Sequence, residues 1–311
     1  MPFNDWNELD DMKSLTPYFA LALVFFFVNT SVASNLALQL TKLEHEVQAI
    51  ERALPGYDDT GSAKIGVATL AVATGEVWQY RGGDRFPLAS TFKTLACAKL
   101  LQDAENGVLD LTETVAVTNN LLQDYSPVMK NEVGNSVSLH KACDATMLTS
   151  DNTAANIVLK TIGGPSSLTR FLENIGDDIT RLDRYEPHLN EGKPGDLRDT
   201  TTPLAMVNTL KALVYGDVLS LSNQKQLTGW MIKNQVTGGL LRSVLPNGWS
   251  IADRSGAGGY GTRNINAIVW SDQISPIIIS IYITQTSASF DERNQAIRDI
   301  GKSLFSIYSN A

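Results

Sequence analysis

A lysine lies inside an apolar run. Phe92, Leu95, Ala96, Ala98 and Leu100 surround Lys93. Few helix breakers interrupt Ser90 to Leu101, and Asn106-Gly107 supplies a stop. Pro87 suits a first helical turn, because its φ is fixed and its missing N–H costs nothing there. The stretch therefore predicts a buried helix that must accommodate a charge. Burial disfavours the ammonium and favours the neutral form of the lysine, which can act as a base. Ser90 stands three residues earlier, so in a helix it shares a face with Lys93. A serine beside such a base can lose its proton and attack a carbonyl. A helix N-terminus also offers backbone N–H groups to a developing oxyanion. The plain alternative is a capping serine and a surface lysine, and S-x-x-K alone is too short to decide.

The chain has 311 residues, a formal net charge of −8 and 43% hydrophobic residues, enough for one large domain or two intimate ones. The acidic balance and the lack of a basic stripe argue against a nucleic-acid partner. Residues 15–28 are mostly apolar, follow Lys13 and precede Ser31-Val32-Ala33, which reads as an export signal cleaved after Ala33. The apolar run is short for a membrane span. Residues 1–11 are acidic where a signal should be basic, so Met12 is the better start and 1–11 an upstream extension. The alternative is a single membrane anchor; no cysteine follows the run to carry a lipid. The only cysteines are Cys97 and Cys143. In an exported protein such a pair suggests a disulfide, worth at most ~4 kcal/mol by loop-closure entropy. Two buried thiols are the alternative.

Leu36, Leu40, Leu43, Val47, Ile50 and Leu54 recur at helical spacing, and Pro55-Gly56 ends that helix. Strands are predicted at 64–72 and 75–80, then at 249–255, 264–271 and 276–284. Residues 87–232 read as helical, with loops at 118–128 and 176–203. A final helix starts at a capping box, Ser289 and Glu292, and carries the stripe Ile297, Ile300, Leu304 and Ile307. Five β-runs joined by short turns predict an α+β fold: a five-stranded antiparallel sheet flanked by the terminal helices. The organisation is then 1–33 as extension and signal, 34–86 with 233–311 as a discontinuous α/β subdomain, and 87–232 as an all-helical subdomain carrying a loop at 181–199.

Four short patterns carry possible chemistry. Ser90-x-x-Lys93 is the first. Ser150-Asp151-Asn152 precedes an apolar helix, where capping alone would account for it. Arg181 to Asp199 has many turn formers and could be an Ω-type loop clipped by an Arg–Asp pair, with Glu186 and Asn190 holding a water. Asp253-Arg254-Ser255-Gly256-Ala257 ends a strand, where a cation and a hydroxyl suit a substrate carboxylate. Gly256 to Gly261 matches G-x-G-x-x-G, but a strand follows rather than a helix, so no dinucleotide site is expected. His45, His140 and His188 lack paired-ligand spacing, so neither a metal nor another cofactor is expected.

Taken in order, these patterns resemble the class A serine β-lactamases over roughly 34–311. The resemblance extends to Ser150-Asp151-Asn152-Thr153-Ala154-Ala155-Asn156, Leu197 to Pro203, and Asn234-Gln235-Val236-Thr237-Gly238. Arg254-Ser255-Gly256 stands where most members have Lys-Thr-Gly or Lys-Ser-Gly, and resembles the carbenicillin-hydrolysing branch. The resemblance implies hydrolysis of penicillins, carboxypenicillins included, with resulting antibiotic resistance. It implies Ser90 as nucleophile, with either Lys93 or Glu186 through water as the acylation base. The Ser90 and Ala257 N–H groups would form the oxyanion hole, and Ser150 would relay a proton to the lactam nitrogen. Asn152 would hold the substrate amide and Lys93. Arg254, Ser255 and Arg263 would receive the carboxylate, with Gly256 beside them and Tyr125 at the mouth. Glu186 with Asn190 would activate the hydrolytic water, Arg184 and Asp199 would brace the loop, and a cis peptide would precede Pro187. It further implies a Cys97–Cys143 disulfide, a periplasmic location and a monomer free of membrane after signal removal. A transpeptidase shares Ser90, Lys93 and Ser150 but has no deacylating glutamate, so Glu186 argues against it. An acylated sensor would need a membrane transducer.

Overall fold

A computed structural model of the chain describes residues 36–57 and 61–309. The expected export signal and its extension, 1–33, lie outside these residues. Helix α1 spans 36–53. Strands β1 (Lys64–Ala71) and β2 (Val77–Tyr80) follow, then β7 (Ser250–Ala257), β8 (Arg263–Trp270) and β9 (Ile277–Thr284) late in the chain. They form one five-stranded sheet in the order β2-β1-β9-β8-β7, and each adjacent pair is antiparallel. The first and last parts of the chain therefore meet at the sheet's centre, where Lys64 faces Thr284 and Ala71 faces Ile277.

Side chains alternate between the faces of a strand, and the sheet is covered on both. Ile65, Val67, Ile279, Ile281 and Ile283 face α1 and the final helix α8 (Phe290–Ser309), packing with Leu43, Val47, Ile297, Ile300 and Leu304. The capping box of α8 forms as expected: Ser289 N–H donates to Glu292 Oε2 at 2.7 Å and Glu292 N–H to Ser289 Oγ at 3.3 Å. Ala68, Leu70, Ala252, Ile268 and Ile278 face the other way, into the core of the helical subdomain.

That subdomain contains α2 (Phe92–Glu105), α3 (Leu139–Thr149), α4 (Asn152–Thr161), α5 (Pro165–Asn174), α6 (Pro203–Tyr215) and α7 (Leu221–Ile232). Three departures from the sequence reading matter. Pro87 does not open a helix: Phe86–Pro87 forms a short strand, β3, paired with β6 (Thr200–Thr201). A single 3-10 turn, Ala89–Thr91, then precedes α2, so Ser90 sits one turn before the helix proper. The region read as helix and loop also holds a small ladder, β4 (Thr114–Ala116) with β5 (Ser136–Ser138). Strands of two or three residues are too short to leave a periodic signal; pairing across the fold makes them.

Cys97 on α2 and Cys143 on α3 are joined in a disulfide, with Cα atoms 5.9 Å apart across 46 residues. Helix α3 ends at Ser150, so the bridge ties the Ser90–Lys93 helix to the segment that carries Ser150.

Candidate active site

The two subdomains meet along β7. It is the edge strand, so one side of its backbone is unpaired. Gly258 N–H donates to Thr262 O at 3.1 Å. Bonded and non-bonded pairs alternate along an antiparallel ladder, so the Ala257 N–H points outward, away from β8. The turn bearing Ser90 lies against this edge. A Cβ on Gly256 would fall 2.9 Å from Ser90 N and 3.1 Å from Leu88 O, which is why only glycine serves there. Ser90 N–H stands at the start of its 3-10 turn, where no intrahelical acceptor exists. Two peptide donors, one from each subdomain, thus border one cleft of about 540 Å³. Ser90, Tyr125, Ser150, Asn152, Asn190, Ser255, Gly256, Ala257 and Arg263 line that cleft, joined by Val236, Phe290 and Asn294.

Behind Ser90, Lys93 is wholly buried. Its Nζ donates to Ser150 O (2.9 Å), Ser150 Oγ (3.1 Å) and Asn152 Oδ1 (2.6 Å). Ser150 Oγ donates in turn to Ser90 Oγ at 3.2 Å. Burial lowers the Lys93 ammonium to about 8; Glu186 opposes the shift and Arg254 adds to it. The apolar surroundings thus act as the sequence suggests, while the contact with Ser90 runs through Ser150. Ser150 is left-handed, φ 65°, between the end of α3 and the cap of α4. That kink, not helix capping, is what aims its hydroxyl. The cap is Asp151, whose Oδ1 accepts from Ala154 N–H at 2.9 Å. Asp151 Oδ2 accepts from the N–H groups of Val128 and Met129, both at 2.9 Å, and Asn152 N–H donates to Tyr125 O at 2.8 Å. One capping residue therefore also fixes the loop that presents Tyr125.

Glu186 is buried, 3.1 Å from Lys93 Nζ through Oε1. The alignment is off the axis a hydrogen bond needs, so Oε1 has an ion-pair partner but no hydrogen-bond donor. Asn190 Nδ2 donates to Glu186 Oε2, and Asn190 Oδ1 is likewise without a donor. An Arg–Asp pair clips the 181–199 loop. Arg184 Nε donates to Asp199 Oδ2 at 2.6 Å, and the N–H groups of Asp183 and Arg184 donate to Asp199 Oδ1 at 2.7 and 3.0 Å. The Glu186–Pro187 peptide is cis.

Asn156 was not singled out in the sequence, yet it clamps Glu186. Its Oδ1 accepts from Glu186 N–H at 3.0 Å and its Nδ2 donates to Glu186 O at 2.9 Å. The available signal was its spacing, four residues after Asn152 on one helix face.

Arg254 lies elsewhere than expected. Its side chain is 0% exposed and does not line the cleft. Even-numbered residues of β7 face the helical subdomain, so the guanidinium runs behind the turn of Ser90. It donates to Ser90 O (3.2 Å), Met147 O (3.3 Å) and Ser150 Oγ. Burial lowers it to about 10, which leaves it cationic at neutral pH. Asp253 points to the other side of the strand, where it accepts from Thr237 Oγ1 at 2.8 Å and Arg242 Nη2 at 2.8 Å. Burial raises its carboxyl above the ordinary range, and Arg242 pulls the other way. Arg263 is the arginine at the cleft wall. Its Nε donates to Asn294 Oδ1 at 2.8 Å, its Nη1 to Gly256 O at 3.2 Å, and it lies 4.6 Å from the Phe290 ring centre.

Among the described residues no cluster of His, Cys, Asp and Glu could hold a metal, and no helix is long and apolar enough to cross a membrane.

The profile of the Beta-lactamase enzyme family matches residues 42–308. Beta-lactamase CARB-4 of Pseudomonas aeruginosa is 54% identical over 290 residues, 93% of this chain and 98% of that protein. Beta-lactamase PSE-4 of the same organism is 54% identical over 288 residues, again 93% and 98%. Among solved structures, the chromosome-encoded β-lactamase of Vibrio parahaemolyticus matches with a TM-score of 0.83 at 49% identity, over 86% of this chain and 100% of that one. An ancestral class A β-lactamase matches with a TM-score of 0.81 at 40% identity, over 85% and 99%. With a cleft that sets a serine, a buried lysine and a buried glutamate side by side, the chain belongs to the β-lactamase enzyme family, as a class A β-lactam hydrolase.

Proposed function

We propose that the protein hydrolyses penicillins, carboxypenicillins among them, through an acyl-enzyme on Ser90. The observation that carries this reading is the pair of buried acceptors, Glu186 Oε1 and Asn190 Oδ1, each without a hydrogen-bond donor, in the same site as Ser90 and Lys93. Two such acceptors suit one water, held for attack on an ester carbonyl.

The substrate carbonyl oxygen sits between the N–H groups of Ser90 and Ala257. Lys93 has three hydrogen-bond acceptors and an ion-pair partner around it, an environment that fits the ammonium. Glu186 then takes the Ser90 proton through the water while Oγ bonds to the carbonyl carbon. Collapse of the tetrahedral intermediate breaks the C–N bond, and Ser150 passes its proton to the nitrogen and regains one from Lys93. Glu186 passes the proton it gained to the neutral Lys93 beside it, which restores carboxylate and ammonium. In the second half Glu186 removes a proton from the water as it attacks the ester, and that proton goes to Ser90 Oγ as it leaves.

The ligand carboxylate meets Ser255 and Arg263 at the wall. Arg254 supplies a second positive charge one layer behind and holds Ser150. That doubled charge favours substrates with an additional carboxylate. Asn152 holds the side-chain amide and Tyr125 borders the mouth. The chain acts as a monomer in the periplasm after losing its signal.

A turnover panel tests this. Benzylpenicillin and carbenicillin are expected to be hydrolysed with kcat/KM values within about tenfold of each other, and extended-spectrum cephalosporins far more slowly. Ser90→Ala should abolish all of it; retained turnover would remove the acyl-enzyme scheme.

A further inference from the structure

Asn264 supports the nucleophile's turn from across the subdomain boundary. It lies on β8 opposite Gly256, and its side chain is wholly buried. Its Nδ2 donates to the carbonyls of Pro87 (2.7 Å) and Leu88 (3.3 Å). Only the NH₂ end of the amide can face two carbonyl oxygens, so its orientation is fixed by chemistry. These two peptides lead directly into Ala89, whose φ is +42°. A non-glycine residue there is strained and persists only where its surroundings hold it. Leu88 is held further: its O accepts from Thr91 Oγ1 at 2.6 Å, and its N–H donates to Asp199 O at 2.8 Å. Asn264 itself is poorly served by its place. Its Oδ1 is buried without a donor, and asparagine is disfavoured in strands. The two bonds to the turn are what its position provides.

We propose that Asn264 is a positioning residue for the oxyanion site, fixing the Ser90 N–H relative to the Ala257 N–H. The inference rests on the acyl-enzyme scheme above. Both donors must lie within hydrogen-bond reach of one developing oxygen, yet they belong to different subdomains. Asn264 stands on the strand that carries the register of Gly256 and Ala257, and its side chain grips the two peptides before Ser90. One residue thereby sets both donors in a common frame.

The test uses purified Asn264→Ala and Asn264→Asp in the full chain, checked for folding by circular dichroism. In Asn264→Ala the single-turnover acylation rate with benzylpenicillin should fall about tenfold, below the roughly 10²–10³ seen on losing an oxyanion donor outright. Affinity for a boronic acid, whose serine adduct is tetrahedral, should fall by a similar factor, while affinity for hydrolysed penicillin stays unchanged. In Asn264→Asp a buried carboxyl donates to Pro87 O only when protonated, so acylation should recover as pH falls, with a profile the wild type lacks. Unchanged acylation in a folded Asn264→Ala overturns the proposal, as does an equal loss of boronate and product affinity. Should Asn264→Ala not fold, the Asn264→Asp profile decides alone, and a wild-type pH dependence overturns it. A penicillin adduct on Ser90, sought by mass spectrometry in acid-quenched wild type and, after long exposure, in Glu186→Ala, separates the two readings: its absence from both sinks the acyl-enzyme scheme, whereas its presence with unaffected Asn264 variants sinks only this inference.

Discussion

The cleft has two sides built on different principles. The β7 wall is a strand in continuous register with β8, from Ser250 opposite Trp270 to Ala257 opposite Arg263. Its functional groups are mainly backbone, or side chains such as Arg254 with several partners. The 181–199 loop has only one bridge of its own to β6, Arg181 with Thr200, and one 3-10 turn, His188–Asn190. Single side chains hold it: Asp199 collects three hydrogen bonds at its start, and Asn156 clamps Glu186. A ladder shares load over many bonds, whereas a clipped loop concentrates it in a few. In the proposed scheme the wall holds the substrate and its oxyanion while the loop holds Glu186 and the hydrolytic water, so the two sides should respond differently to substitution.

The sharpest break between them is Glu186→Ala. Removing Glu186 also removes the charge that supports the Lys93 ammonium, so the neutral amine can take the Ser90 proton. Acylation should persist at a reduced rate, while deacylation falls by about 10³ or more, toward the upper range for losing a general base. Intact-mass measurement should show a stoichiometric adduct that outlasts the assay; normal turnover would take Glu186 out of the mechanism. Next is Asp199→Ala, which removes the loop's main clip and takes the acceptor from Arg184 Nε and from the N–H groups of Asp183 and Arg184. It should cost about 1–3 kcal/mol in stability, read from denaturant melts. It should slow deacylation by about tenfold and acylation by less, because Lys93 can stand in for Glu186 only in acylation; equal slowing of both steps would erase the distinction drawn here.

Arg254→Lys probes the wall. A lysine keeps the charge but has a single ammonium where Arg254 bonds three partners. The loss with benzylpenicillin should stay below about tenfold, with a larger rise in KM for carbenicillin. A collapse of kcat at constant KM would mean that Arg254 takes part in proton transfer through Ser150. The smallest effect concerns pH. With Lys93 lowered to about 8, its ammonium is present below that pH and lost above it. If Glu186 is the acylation base, kcat/KM should decline above about pH 8; a rise through pH 8 would instead make neutral Lys93 the base. Unfolding driven by Lys93 would not mimic the decline. The unfolded lysine titrates near ~10.4, so between the two values the unfolded state binds more protons and raising pH favours the fold.

What could be read in the sequence follows the same division. Ser90 and Lys93, the Asp151 cap, the α8 capping box and the strands of the central sheet were legible because spacing and local chemistry determine them. The left-handed Ala89 and Ser150 were not, since no local propensity asks for them; they are imposed by Asn264, Asp199 and the helix junction. Pro87 misled because a two-residue pairing with Thr200, more than a hundred positions away, overrides its preference for a helix start. Arg254 was read as a receiver of the substrate carboxylate at the end of its strand, because its partners at Ser90, Met147 and Ser150 are remote in sequence and nothing local shows its burial. Asn156 and Asn264 work through backbone atoms of distant residues, a relation that leaves no motif.

The central pairing of β1 with β9 has a consequence for time rather than geometry. More than two hundred residues separate the paired strands, so the chain must close a long loop before the sheet exists, and such contacts form slowly. The Ser90 turn is made early in synthesis, but the strands that face it and carry Asn264, Arg254 and Ala257 come in the last quarter of the chain. During synthesis the site is therefore incomplete until those strands arrive. A chain cut short before β7 would present a nucleophile with no oxyanion site to serve it.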